Sequence, residues 1–207
     1  MNNAINLPQR PLPMVHFNAF PGTGKLTIAQ ILASFFRPST MKVVHNHLLI
    51  NPADAVLHRE QAGYQDLRRQ IRLAIFNSLI YEPATHSTAY IFTDFQTSNE
   101  LGEIVCEEYI DCAKRRRCNF IPIMLLCDEE TNLGRLVEDG RVNHGKLIDA
   151  ELVKMFRKVD LYSFNNHPSS LRLDVSDLSA DGAARRIMDH VLKISLELAS
   201  CVEAIVD

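Results

Sequence analysis

Small residues, one ammonium and one hydroxyl fall together in Ala19-Phe20-Pro21-Gly22-Thr23-Gly24-Lys25-Leu26-Thr27, a stretch that follows an apolar run and opens a helical pattern. The chemistry open to such a stretch is phosphate binding. Glycines let the chain curl so that several backbone N–H groups point inward, and a lysine brings positive charge to the outer phosphates. The start of a helix adds the positive end of its dipole. Pro21, Gly22, Thr23, Gly24, Lys25, Leu26 and Thr27 are therefore the candidate phosphate-binding residues. Two positions depart from the pattern G-x-x-x-x-G-K-[ST]: Ala19 stands at its first glycine, and Leu26 stands where a magnesium-binding hydroxyl belongs. Thr27 supplies a hydroxyl one residue later. An ordinary glycine turn is the plainer reading, but the strand before and the helix after favour phosphate.

Further candidates lie at expected strand ends. Asp94 closes the run Ala89–Asp94, where an acid can hold magnesium through water or take a proton from an attacking hydroxyl; an acid capping a turn is the bland reading. Thr93, Phe95 and Gln96 share that rim, and Gln96 is a candidate substrate contact. His45-Asn46-His47 closes a run beginning at Met41. In a strand His45 and His47 would share a face, which permits a metal pair, yet the sequence places no further ligands. A second-substrate role for Asn46 and His47 competes with a histidine packed at the rim. Arg68, Arg69 and Arg72 lie off the apolar face of a helical segment, and Arg72 is a candidate substrate contact. Arg135, Arg141 and Lys146 are spread over a helix end and a polar turn, where arginines on a mobile lid would stabilise a migrating phosphoryl group and a solvated basic face is the alternative.

Strands and helices alternate along the chain that must position these residues. Apolar runs at Met14–Phe20, Met41–His47, Ala89–Asp94, Phe120–Leu126 and Leu171–Val175 read as strands. Helical patterns cover Lys25–Phe36, Tyr64–Tyr81, Asn99–Arg117, Thr131–Glu138, Asp149–Val159 and Ala183–Leu198, and Asn51-Pro52 can start a short helix. Asn99 or Ser98 is the expected cap of the third long helix, and Lys114 to Arg117 complement its dipole at the other end. This order predicts an α/β protein with a five-stranded parallel sheet covered on both faces and sites outside the carboxyl ends of the strands.

At 207 residues the chain suits a single domain, with Met1 to Pro13 as an irregular surface tail. A net charge of -3 weighs against nucleic acid as a partner. No apolar run is long enough to cross a bilayer, and the N-terminal stretch does not read as a signal peptide, so a cytoplasmic location is expected. The 5 cysteines form an odd set without C-x-x-C pairs, which suits reduced core thiols.

The order P-G-x-G-K-x-T at Pro21 to Thr27 resembles the loop of adenylate kinase, in which a non-hydroxyl residue also follows the lysine and a threonine comes next. With Asp94 and the Arg135, Arg141 and Lys146 segment, the chain resembles P-loop kinases of the nucleoside monophosphate kinase-like group. That resemblance implies the three-layer P-loop NTPase fold with a small helical lid between strands four and five, at about residues 129–150. It implies ATP and Mg2+ as cofactors and a small-molecule phosphoryl acceptor as the partner. Lys25, Asp94, Arg135 and Arg141 become the candidate catalytic residues, and Thr27 and Asp94 the candidate metal ligands. The acceptor is open, because strand two offers His-Asn-His where a shikimate-type kinase has an acid-x-acid pair. The expected function is ATP-dependent phosphotransfer; a nucleotide-binding module or regulatory ATPase without efficient transfer is the alternative, motivated by Ala19 and Leu26.

Overall fold

Strand β1 (Met14–Asn18) is wholly buried, as a strand covered on both faces must be. In the computed structural model, which describes residues 10–136 and 150–203, it is the middle of a five-stranded sheet. The others are β2 (Met41–His45), β3 (Ala89–Asp94), β4 (Phe120–Leu126) and β5 (Leu171–Asp174), in the order β2-β3-β1-β4-β5 with every pairing parallel. Sequence order reverses at β1, whose two neighbours are β3 and β4. A crevice therefore opens at the carboxyl ends of β1 and β3, where Asn18 lies opposite Asp94 in register.

Alternate residues of β1 feed two cores. Val15 and Phe17 pack with Ile28, Leu32, Ile187 and Val191 from α1 (Lys25–Ser34) and a long C-terminal helix. Met14 packs on the other face with Phe76, Phe92 and Tyr109. That face is covered by α3 (Tyr64–Tyr81) and α4 (Glu100–Arg116), while α2 (His47–Asp54) leads into α3. The chain then adds α5 (Glu129–Leu136), α6 (Ala150–Phe156) and the C-terminal helix α7 (Ala180–Ile194). Helices on both faces of a parallel sheet give the three-layer α/β architecture expected from the alternation. Among the described residues, no helix is long and apolar enough to cross a membrane.

Side-chain caps explain where α4 and α7 begin. Asn99 accepts from Gly102 N at 2.8 Å and starts α4, and Ser179 accepts from Gly182 N at 3.0 Å and starts α7, earlier than the expected Ala183. A Cβ on Gly102 would lie 2.0 Å from the Thr97 carbonyl oxygen, so only glycine fits that turn. At the far end of α4 the Arg116 side chain is 2% exposed and donates to the carbonyls of Leu79, Thr85 and Thr88 and to Thr85 Oγ1. One guanidinium thus ties the segment between α3 and β3 to α4.

Three expectations are corrected. Strand two stops at His45, because Asn46 turns helical and His47 begins α2, so the two histidines do not share a strand face. The short helix accordingly starts at His47, ahead of Asn51-Pro52, and has Pro52 in its interior. Leu12 and Pro13 are buried, and Leu12 N donates to His86 O at 2.9 Å, so this end of the N-terminal segment is packed and not laid on the surface. The expected lid falls largely outside the described residues, and Arg141 and Lys146 with it.

Candidate functional site

The loop after β1 owes its shape to two glycines. Gly22 and Gly24 have φ of 90° and 94°, in the left-handed region that side chains resist, and Gly24 is the residue from which α1 springs. Gly22 is doubly constrained, because a Cβ there would lie 2.5 Å from Asn132 Nδ2 and 2.9 Å from Asn132 O. At Gly24 a Cβ would meet only Ile28 Cδ1, at 4.0 Å, so its inward side is open. Lys25 turns its ammonium onto the carbonyls of Ala19 at 3.1 Å and Phe20 at 3.2 Å.

Side chains from the far end of the sheet brace this loop. Asn132 Nδ2 donates to Pro21 O at 2.8 Å, and Arg157 Nη1 donates to Asn132 Oδ1 at 3.1 Å. Arg157 also donates to Cys127 O at 3.0 Å and lies 5.3 Å from the Phe20 ring centroid. Arg135 donates to Thr23 O at 3.3 Å, Val175 O at 2.9 Å and Leu178 O at 3.2 Å. Its planar fork therefore joins the glycine loop to the segment between β5 and α7. It does not line the cavity over which it was expected to close.

A cavity of about 270 Å³ lies over the loop. Pro21, Gly22, Gly24, Lys25, Leu26 and Thr27 form one part of its wall, and His45, Asn46, His47, Thr93, Asp94 and Phe95 form the strand-end part. Ile50, Arg59 and Arg68, from α2 to α3, and Phe156 complete it. Of the predicted site residues, Lys25, Thr27, Asn46, His47 and Asp94 thus meet around one space. Thr23 is buried beneath, where its hydroxyl donates to Phe20 O at 2.9 Å. Arg72 and Gln96 do not line this space. Arg72 Nε donates to Glu108 Oε2 at 2.7 Å, and Gln96 N donates to Asn18 Oδ1 at 2.8 Å, which ties the β3 loop to β1. A larger depression of about 630 Å³ between α3 and α4 contains no part of the glycine loop, so the smaller cavity is the chemical candidate.

Asp94 is held from two sides. Its Oδ1 accepts from Phe95 N at 2.8 Å, and its Oδ2 accepts from the Tyr109 hydroxyl at 3.4 Å. Behind it the Tyr109 ring lies 4.4 Å from that of His16 and is tilted 50° to it, and among the described residues neither His16 ring nitrogen has a hydrogen-bond partner. Burial drives the His16 pKa down to about 4 against the opposing pull of Asp94, so the imidazole is neutral at physiological pH. Burial, with the Asp94 charge beside it, pushes the Tyr109 hydroxyl well above its ordinary range. Tyr109 is therefore a fixed donor toward the carboxylate. Sequence reasoning missed Arg59, Arg68, Tyr109 and Arg157. Arg68, Arg69 and Arg72 all lie off the apolar face of their helix, so that signal does not single out Arg68 over Arg72.

The donor set suits magnesium. Thr27 and Asp94 put a hydroxyl and a carboxylate on the same cavity, and Mg2+ binds through one or two such hard oxygens plus waters and phosphates. Among the described residues no group of three His, Cys, Asp or Glu is arranged for a metal, and the His45 and His47 rings stand 6.2 Å apart.

The sequence matches no protein-family model and no curated protein. Solved structures match its fold over nearly the whole chain. A sugar kinase from Janibacter sp. HTCC2649 is 17% identical with a TM-score of 0.59, covering 91% of this chain and 98% of its own. A gluconokinase from Sinorhizobium meliloti 1021 is 12% identical with a TM-score of 0.57, covering 92% and 97%. The Mycobacterium tuberculosis APS kinase, solved with AMPPNP and APS, is 14% identical with a TM-score of 0.55, covering 87% and 98%. The chain shares the three-layer α/β fold of these kinases.

Proposed function

We propose that the protein is an ATP-dependent phosphotransferase acting on a small-molecule hydroxyl. The observation that carries this reading is the convergence of the glycine loop, Lys25, Thr27 and Asp94 on one cavity that also has a separate wall from α2 and α3. A phosphate site alone needs only the loop. The second wall gives room for an acceptor beside it.

The loop amides from Gly22 to Thr27 and the start of α1 hold the phosphates of ATP. Lys25 leaves the carbonyls of Ala19 and Phe20 to contact the transferred group. Asp94, oriented by Phe95 N and Tyr109, receives the proton as the acceptor oxygen bonds to the γ-phosphorus and the bond to the departing ADP breaks. Thr27 and Asp94 would hold magnesium, which would supply neutralising charge to the phosphate oxygens. Phe95 and Phe156, 5.0 Å apart, shield the reacting centre from water.

Incubating the protein with ATP, magnesium and a panel of sugars, nucleosides, nucleotides and hydroxy acids tests this proposal. Phosphorylated product that disappears with Lys25→Ala is the expected result. Nucleotide binding with only slow hydrolysis across the panel would favour a regulatory module, the reading that Leu26 after the lysine supports.

A further inference from the structure

The depression of about 630 Å³ between α3 and α4 lies outside the candidate site. Its α4 edge follows helical spacing: Glu100, Glu103, Ile104, Glu107, Glu108 and Asp111 fall at steps of three and four residues, which puts them on one face. Leu73, Phe76 and Ile80 line it from α3 at the same spacing. The two helices run side by side in the same direction, since Arg69 and Arg72 reach Glu108 and Arg115, further along α4, reaches Tyr81 at the end of α3. The depression is therefore a groove. From Glu100 to Arg115 its α4 edge is about 22 Å long.

The floor of the groove is apolar. Phe76 and Cys112 are buried at its base, Leu73 and Ile80 are half-buried, and Ile104 is 48% exposed. A single exposed isoleucine is ordinary, but this one continues a row of apolar side chains along a concave surface.

The rim carries charge of one sign. Glu108 is satisfied by Arg69 and Arg72, and Asp111 pairs with Arg115 at 3.4 Å. Glu100, Glu103 and Glu107 are exposed, and among the described residues none of them takes part in an ion pair. Tyr162, beside Glu107, brings no cation: burial first, and then the glutamate charges, push its hydroxyl above the ordinary range. The helix dipole accounts for acids in the first turn, where Glu100 and Glu103 sit, but not for Glu107. Glu103 and Glu107, four residues apart, repel each other on the helix. A second copy docked groove to groove would set these glutamates against their own counterparts. A cationic occupant relieves the repulsion.

We propose that this groove docks an amphipathic helix of a partner protein that carries lysine or arginine along its flanks. Its apolar side chains lie over Leu73, Ile80 and Ile104, and its cations meet Glu100, Glu103 and Glu107. Two parallel helical walls with an apolar floor suit a helix laid lengthwise, and the glutamate row selects its charge. The docking surface involves neither the glycine loop nor Asp94, so it does not rest on the phosphotransfer reading.

Fluorescence anisotropy with three labelled synthetic peptides of about 15 residues tests the groove. One peptide has leucines on a single helical face flanked by lysines, the second has glutamates in place of the lysines, and the third is a scrambled form of the first. Saturable binding of the lysine peptide alone is expected, weakening as salt is raised. Its Kd should rise roughly 5-fold or more in Glu103→Lys and in Ile104→Ser. Asp189→Lys, the same charge change on α7, should leave it unchanged. The glutamate peptide should gain affinity for Glu103→Lys. Equal binding of the lysine and scrambled peptides, an equal Kd in wild type and Glu103→Lys, or no saturation by roughly 1 mM lysine peptide overturns the proposal. Sedimentation that shows a dimer of the wild type, dissociated by Ile104→Ser, overturns it in favour of a second copy on this face.

Discussion

His16 gives the structure its clearest pH signature. Its ring is fully buried between Tyr109, Phe120 and Phe164, with ring centroids at 4.4, 6.2 and 5.5 Å, and neither nitrogen has a hydrogen-bond partner among the described residues. Burial lowers its pKa from 6.5 to about 4. Because the folded value lies below the unfolded one, the unfolded chain takes up the proton first as the pH falls. Stability from this group is intact above roughly pH 6.5 and is lost progressively as pH falls toward about 4. The gap corresponds to about 3 kcal/mol when fully expressed and to roughly 2 kcal/mol at pH 5. His16→Phe keeps an aromatic ring in the same cluster and removes the titration. Urea unfolding of both proteins at pH 8 and pH 5 gives the difference directly, since every other titrating group is common to the two. The wild type is expected to lose roughly 2 kcal/mol more than the variant over this range. Parallel loss in the two proteins would refute the assignment of a buried neutral histidine.

Three further perturbations follow from the geometry. Gly22→Ala places a methyl group 2.5 Å from Asn132 Nδ2 at a φ of 90°, so it should distort the loop and weaken nucleotide affinity at least about tenfold by calorimetry, whereas Gly134→Ala, with open space around it, should leave binding unchanged. Arg116→Met strips donors from the carbonyls of Leu79, Thr85 and Thr88, and should cost about 3 kcal/mol in chemical denaturation. Tyr109→Phe removes the hydroxyl that Asp94 Oδ2 accepts from; kcat should fall several-fold with KM for ATP unchanged, while an equal rise in KM would mean that the hydroxyl serves packing alone.

The strands were legible because a buried parallel strand is an unbroken apolar run, and β3 and β4 have the bounds expected for them. Helix α3 was equally plain from its periodicity. Strand β2 was overrun because His45-Asn46-His47 has no breaker, and the turn into α2 is made by an Asn46 that already has helical dihedrals. The bend of the glycine loop was readable from glycine spacing, since φ near 90° restricts residue type locally. The arginines were not readable in the same way. Arg68, Arg69 and Arg72 sit on one helix within five residues, yet their roles depend on Glu108, thirty-six residues beyond Arg72, which takes two of them and leaves the third facing the cavity. Arg135 misled for the same reason: its position suggested a lid, but the carbonyls of Thr23, Val175 and Leu178 occupy its fork.

Transfer of label from terminally labelled ATP to an acceptor, in wild type, Lys25→Ala and Asp94→Asn, is the measurement that bears most directly on the site. A labelled acceptor is expected with the wild type, with the rate reduced roughly 100-fold or more in either variant, because each removes charge placed at the reacting centre. Labelled product formed equally well by Lys25→Ala would contradict the assignment of this loop and cavity as the place where the phosphoryl group moves.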